Sequence, residues 1–294
     1  MSDLKSMWFA ARNPPADPIS LSFKGKAVLV TGASSGLGLA AAIKYTRQGA
    51  SPLILGVQTR EQGEQARKAI MEATSCAKDN LVILTLDFAS FDSVCSFSRE
   101  LDAKVPYLHI AQIAGGVIKS KYDLTGDGYE ESLQIGALST ALLGQLLLPK
   151  LRRTAAGLPE GEFCYLSFLN SIAHMRVTAS DLPMGHSLVQ RCNDGEQWDA
   201  HKQYALVKLV ARLAVKGIAD KCAEDAKIIV NASCPGVCKT NMYKDMSLLS
   251  RASVEVQWFF VGRTAEQGAR TLVSATGLGP ESRGNFWNND ELLP

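Results

Sequence analysis

The stretch HKQYALVKLV begins at His201 and places Tyr204 and Lys208 four residues apart in a segment that reads as helix. Residues four apart share a helix face, so the pair can be an ordinary surface contact. It can also be a working acid. A free phenol titrates near pH ~10, too high for efficient proton exchange at neutral pH. An ammonium one turn away stabilises the phenolate and brings that value down. Of the seven tyrosines, only Tyr204 is followed by a lysine at this spacing.

A second segment with chemical potential is TGASSGLG, running from Thr31 to Gly38. Gly32, Gly36 and Gly38 follow an apolar run and open a small-residue helix. Their spacing is four and then two, where the usual dinucleotide fingerprint has two and then three. The physics is shared: glycines allow a tight turn and close approach of backbone to pyrophosphate, and the helix N-terminus offers unpaired N–H groups and a positive dipole. Ser34 and Ser35 add hydroxyl donors. A Gly-rich turn without a ligand is the plain alternative, and the strand–loop–helix placement argues against it.

The elements that must position these residues alternate along the chain. Strands are expected at 26–30, 52–57, 81–87, 108–115, 163–169, 226–234 and 284–288. Helices are expected at 39–50, 60–74, 91–101 and 129–151, with a further one carrying Tyr204. Near-continuous apolar strands alternating with helices specify a parallel sheet covered on both faces. The expected fold is α/β: a single Rossmann-type doubly wound domain over 25–294, with about seven strands flanked by helices. Residues 1–24 read as an arm packed on the domain, with Trp8 and Phe9 as anchors.

The 294 residues carry a formal net charge of +2, which gives no reason to expect nucleic acid or an anionic membrane as partner. Seven cysteines without a regular framework, and an N-terminus unlike a secretory signal or a membrane span, fit a reducing cytoplasmic setting. Cys234 and Cys238 in CPGVC have no second Cys/His pair of finger type after them, and Pro-Gly reads as a turn, so no metal site is expected.

Taken together, SFKGKAVLVTGASSGLGLAAA, LTLDFASFDSV, LTGDGYEESLQ, LLLPKL, NSIAHM, QYALVK, CPGVCKT and GRTAEQGARTL resemble the short-chain dehydrogenase/reductase family, in particular its fungal, retinol-dehydrogenase-like members. The resemblance runs from about residue 20 to 290, and many such fungal relatives tailor secondary metabolites. It implies an NAD(P)H-dependent enzyme interconverting a carbonyl and an alcohol on a small, largely apolar substrate. The implied catalytic set is Ser171, Tyr204 and Lys208. Tyr204 would be the acid/base, Lys208 would lower its pKa and hold the nicotinamide ribose, and Ser171 would fix the substrate oxygen. Ser171 could instead be a loop cap; its place just after a strand end favours the pocket rim.

The same resemblance assigns cofactor contacts to Thr31, Gly32, Ser34, Ser35, Gly36, Leu37 and Gly38, to Gln58 and Arg60, to Asp87 and Phe88, to Ala114 and Gly115, to Tyr204 and Lys208, and to Pro235, Gly236, Val237 and Thr240. Asp87 would bond adenine; a strand-end turn is its alternative. An acid closing the second strand would bind ribose hydroxyls and repel a 2′-phosphate. None stands at Val57, Gln58 or Thr59, and Arg60 is near enough to reach a phosphate, though it could be a solvated helix-start residue. The expectation is NADP(H), with NAD(H) not excluded.

Two departures from the family pattern stand out. Its Asn-Ala-Gly after the fourth strand is here Ala114, Gly115 and Gly116, and the helix Asn of its water relay falls on Gly136. A glycine inside a helix costs about 1 kcal/mol against Ala, so substrate, water or a rerouted relay is expected to account for it. This keeps open a second class: a cofactor-binding protein that isomerises or cyclises its substrate without net redox. The polar stretch from Arg176 to Ala200 reads as a loop over the pocket. Met242, Met246, Leu248, Leu249, Trp258, Phe259 and Phe260 fit either core packing or a homodimer contact, or a Met-rich lid over an apolar substrate.

Overall fold

A computed structural model describes residues 8–9, 12–18, 20–182, 185–239 and 262–294. Eight strands form one sheet in the order β3-β2-β1-β4-β5-β6-β7-β8. They are β1 Val28–Thr31, β2 Leu53–Val57, β3 Leu81–Thr85, β4 Ile110–Ile113, β5 Cys164–Leu169, β6 Ile228–Cys234, β7 Phe286–Asn288 and β8 Glu291–Leu293. Every pairing is parallel except β7 with β8. The main helices are α1 Gly36–Arg47, α2 Arg60–Thr74, α3 Phe91–Lys104, α4 Glu131–Ala156, α5 Leu188–Cys192, α6 Ala200–Lys221 and α7 Ala265–Ala275.

Strands β1, β2, β4 and β6 are buried at every position, as a sheet covered on both faces requires. One core, with Leu29, Phe97, Leu147, Leu166 and Val230, lies under α3, α4 and α6; the other, with Val28, Tyr45, Leu55, Ile70 and Leu272, lies under α1, α2 and α7. The strand order reverses between β1 and β4, which opens a crevice at their carboxyl ends where such sheets bind ligands. The loops after both strands hold predicted site residues. α4 is apolar enough to span a membrane by length and composition, but 61% of its most apolar window is buried, which marks a core helix.

Three expectations change. The sheet has an eighth, antiparallel strand in place of an end at residue 288. α4 is not uniform: Gln134–Leu138 form one wide π turn within it. The N-terminal arm is not anchored by Trp8 and Phe9, which are exposed. Polar contacts hold its described part instead. Asp17 accepts two 2.7 Å bonds from the buried Lys44 ammonium, and Arg270 donates to the Ala16 carbonyl at 2.6 Å. The Asp17 carboxylate and the Ala16 carbonyl thus tie the arm to α1 and α7.

Candidate active site

Tyr204 and Lys208 lie in the first turns of α6. Asp199 caps that helix, accepting from the His201 and Lys202 amides at 2.8 and 3.1 Å. Lys208 is 4% exposed, and its Nζ stands 5.7 Å from the centroid of the Tyr204 ring. Burial disfavours its charged form and brings the ammonium down to about 8. A Cβ placed on Gly116 would sit 3.5 Å from Lys208 Nζ, so the lysine head reaches the backbone that follows β4.

Ser171 follows β5 and caps a short turn over Ile172–Arg176, its Oγ accepting from the Ala173 amide at 3.2 Å. The capping alternative is therefore realised, and the hydroxyl proton still remains to be donated. Asn170, to which the sequence reading gave no role, joins Ser171 to α6. Its Oδ1 accepts from the Ser171 amide at 2.8 Å and its Nδ2 donates to the Lys208 carbonyl at 3.3 Å. His174 Nδ1 donates to the Ser171 carbonyl at 2.7 Å, because a carbonyl can only accept. Burial holds this imidazole below its usual basicity.

The glycine loop leaves β1 at the crevice. Thr31 Oγ1 ties it to β4, accepting from the Ala114 amide at 2.8 Å and facing the Ala114 carbonyl at 3.2 Å. Gly32 and Gly36 have φ of +62° and +54°, a region that side chains resist. A Cβ on Gly32 would run into the Ala114 carbonyl oxygen, and one on Gly38 into the Gly32 carbonyl oxygen. Ser35 is the N-cap of α1 but makes no side-chain cap, and the first turn has no acid. This cradle of bare backbone at an uncapped positive helix end fits a pyrophosphate. Ser34 is half-buried beside it, and Leu37 packs toward Gly268 of α7.

Around the crevice, Gln58, Thr59 and Arg60 are exposed where β2 gives way to α2, with Thr59 capping the helix. Asp87 lies two residues beyond β3, and its Oδ1 accepts from the Ala89 amide at 2.9 Å. This is the turn geometry the alternative reading anticipates. The Phe88 ring lies against Gly115, where a Cβ would come within 2.8 Å of it. On the other side Pro235 is buried, Gly236 takes φ +77°, and Val237 accepts from the Arg263 amide at 2.8 Å. Arg263 also donates from its guanidinium to the Pro235 carbonyl at 3.2 Å. Thr240 and the apolar residues from Met242 to Phe260 lie outside the described residues.

Gly136 sits in the π turn of α4, and a Cβ there would come within 3.0 Å of Val207 Cγ1 on α6. The missing side chain thus lets a valine close on the helix backbone. The adjoining narrow cavity is lined by Ile113, Phe168, Ala211 and Val215, with Thr140 and Asn170 as its polar members. Thr140 already donates to Ala137, and Asn170 is committed as described, so the cavity offers a water few partners.

The stretch from Arg176 to Ala200 is more than a loop. It contains α5, opened by a Ser187–Gln190 capping box that SLVQ signals in the sequence. It docks on the segment before α4: Asn193 Oδ1 accepts from the Glu130 amide at 2.6 Å, and Tyr122 donates to the Asn193 carbonyl at 2.9 Å.

The comparisons with known proteins agree with this architecture. A family model for short chain dehydrogenases matches residues 26–158. The short-chain dehydrogenase/reductase ffsI of Aspergillus flavipes is 38% identical over 291 residues, covering 99% of this chain and 84% of that protein. The short-chain dehydrogenase/reductase phmF of Phaeosphaeria nodorum is 38% identical over 284 residues, covering 97% and 83%. A Shigella flexneri protein described as a short chain dehydrogenase, solved with NADP, shares the fold with a TM-score of 0.63 at 20% identity, covering 92% of this chain and 98% of its own. With a sheet of this order, a bare glycine cradle at its crossover and relatives 38% identical over nearly the whole of this chain, the chain belongs to the short-chain dehydrogenase/reductase family.

Proposed function

We propose that this protein is an NADP(H)-dependent reductase that interconverts a carbonyl and an alcohol, with Tyr204 as the proton donor. The observation that carries the reading is the buried Lys208 ammonium set 5.7 Å from the Tyr204 ring. A cation held in a dry site beside a phenol favours the phenolate more than the same cation would in water. Ser171 keeps a hydroxyl proton for the substrate oxygen, and Asn170 holds it in register with Lys208. The glycine loop from Thr31 to Gly38 would hold the pyrophosphate, and Asp87 the adenine. Pro235, Gly236 and Val237 would line the nicotinamide side. When bound, the nicotinamide supplies or accepts the hydride.

The choice of NADP(H) is supported by the exposed Arg60 at the start of α2, with no acid at Val57, Gln58 or Thr59. Resemblance to fungal members supports a small-molecule substrate of secondary metabolism. The test is turnover of ketone and alcohol libraries, with product followed by chromatography and the reduced nicotinamide by absorbance. One cofactor oxidised per product upholds the reductase. Product formed with no net oxidation would instead establish an isomerase or cyclase. Tyr204→Phe should lower reduction by about 10²-fold or more while leaving cofactor affinity within about twofold. Retention of most turnover by the folded variant would remove Tyr204 from the mechanism.

A further inference from the structure

Glu130 is fully buried, with 0% of its surface exposed. Its partners among the described residues are all neutral donors. Ser132 Oγ lies 2.8 and 2.6 Å from its two oxygens, the Leu133 amide donates at 2.8 Å, and Gln203 Nε2 donates at 2.8 Å. A carboxylate without a cation is costly inside a protein. This one is the N-cap of α4, so the positive end of a 26-residue helix compensates it. The arrangement is expensive for a mere cap, because Ser or Asp at the surface would serve as well.

What the buried carboxylate does in addition is hold Gln203, the residue immediately before Tyr204. Gln203 is 3% exposed, and its Nε2 divides its two hydrogens between Glu130 and the Cys192 carbonyl, 2.9 Å away. One side chain is thus fixed at once to the start of α4 and to the end of α5. Beneath it Leu133, Ala137, Cys192, Leu206 and Val207 form a separate small core. Tyr204 lies in the second turn of α6, where a helix held only by its cap would fray. The Glu130–Gln203 bond removes that freedom.

We propose that Glu130 is a positioning residue for Tyr204, acting through Gln203. The inference rests on the proton-transfer role given to Tyr204 above, but its structural part can be read without turnover. Glu130→Leu removes the oxygen that accepts from Gln203 Nε2. Gln203 cannot recover the bond by turning its amide, since its oxygen would then face the Cys192 carbonyl. Gln203→Leu keeps volume and helix propensity and deletes both bonds.

The experiment labels the full chain with 3-fluorotyrosine and assigns the Tyr204 ¹⁹F resonance by its loss in Tyr204→Phe. Glu130→Leu and Gln203→Leu should each shift or split this resonance. Each should also lower kcat by about 10²-fold, the effect of an ångström-scale misplacement, with cofactor Kd within about twofold. The double variant should be no worse than the poorer single one, because both act through one bond. An unchanged Tyr204 resonance in either folded variant overturns the proposal. So does a kcat loss in which the two substitutions multiply. A displaced resonance in a protein that reduces no carbonyl upholds the positioning role and removes the reductase reading instead.

Discussion

Replacing Lys208 by Met should make the protein more stable while disabling it. The side chain is 4% exposed, and burial brings its ammonium from 10.5 down to about 8. At about 1.36 kcal/mol per pH unit, that depression corresponds to roughly 3 kcal/mol held against folding when the lysine is charged. The Tyr204 ring, 5.7 Å from Nζ, returns about 0.5–1 kcal/mol through its π face. Met fills nearly the same volume without a charge, so Lys208→Met should gain about 2–3 kcal/mol at pH 7. The sign with pH follows. Below about 8 the lysine is protonated folded and unfolded, and the full penalty applies. Between about 8 and 10.5 the unfolded chain holds a proton that the folded one has shed, so stability of the unmodified protein climbs with pH. The advantage of Met should therefore be largest at pH 6–7 and shrink toward pH 10. Urea unfolding of both proteins at several pH values, without cofactor and with Tyr204→Phe in each to remove the coupled phenol, measures the difference and cancels the titrations that do not involve Lys208. A Met variant less stable than the unmodified protein at pH 7, or a difference that does not change with pH, would refute the reasoning.

Arg60→Ala should weaken NADPH by about 1 kcal/mol and leave NADH nearly unchanged, since a surface charge on a phosphate has that scale; calorimetric titration at low and moderate salt checks it, and an NADH preference in the unmodified protein would overturn the assignment. Gly136→Asn should destabilise by about 1–3 kcal/mol through overpacking on Val207, and Val207→Ala in the same chain should recover much of it. Denaturant midpoints of the two single variants and the double one decide this, strict additivity being the refuting result.

Much of the fold was legible because buried parallel strands carry their pattern openly. VLV, LILGV and IIVNASC admit little besides strands covered on both faces. The helix from Arg60 to Thr74 falls where the sequence puts it, since Thr59 supplies a cap and the apolar positions recur at helical spacing. The first strand of the last hairpin falls within the expected 284–288, but its partner Glu291–Leu293 has only three residues, too few for a period to register. Its signal was present in Asn289 and Asp290, which take φ of 49° and 64° in a two-residue turn. At the candidate site, the Tyr204–Lys208 pair and the glycine loop stand out by their spacing along the chain, whereas Ser171 is named by the family resemblance. Asn170, Arg263 and the Glu130–Gln203 pair could not. Glu130 and Gln203 are 73 residues apart, and nothing local marks a carboxylate as buried or an amide as shared. Gly136 was recognised as unusual, but its neighbour could come only from the fold.

The contact between Gly136 and Val207 also constrains how this protein can change over time. A methyl of Val207 lies where a side chain at position 136 would begin, 3.0 Å from an ideal Cβ. The two positions are therefore not free to vary in either order. A lineage can trim Val207 first and enlarge residue 136 afterwards, passing through a cavity that the new side chain then fills. The reverse order passes through a clash inside a close-packed helix pair. Once valine occupies that space, the glycine is held by its neighbour whether or not selection on the chemistry still favours it. A return to a polar side chain there would need two changes in sequence, the first with no catalytic benefit of its own.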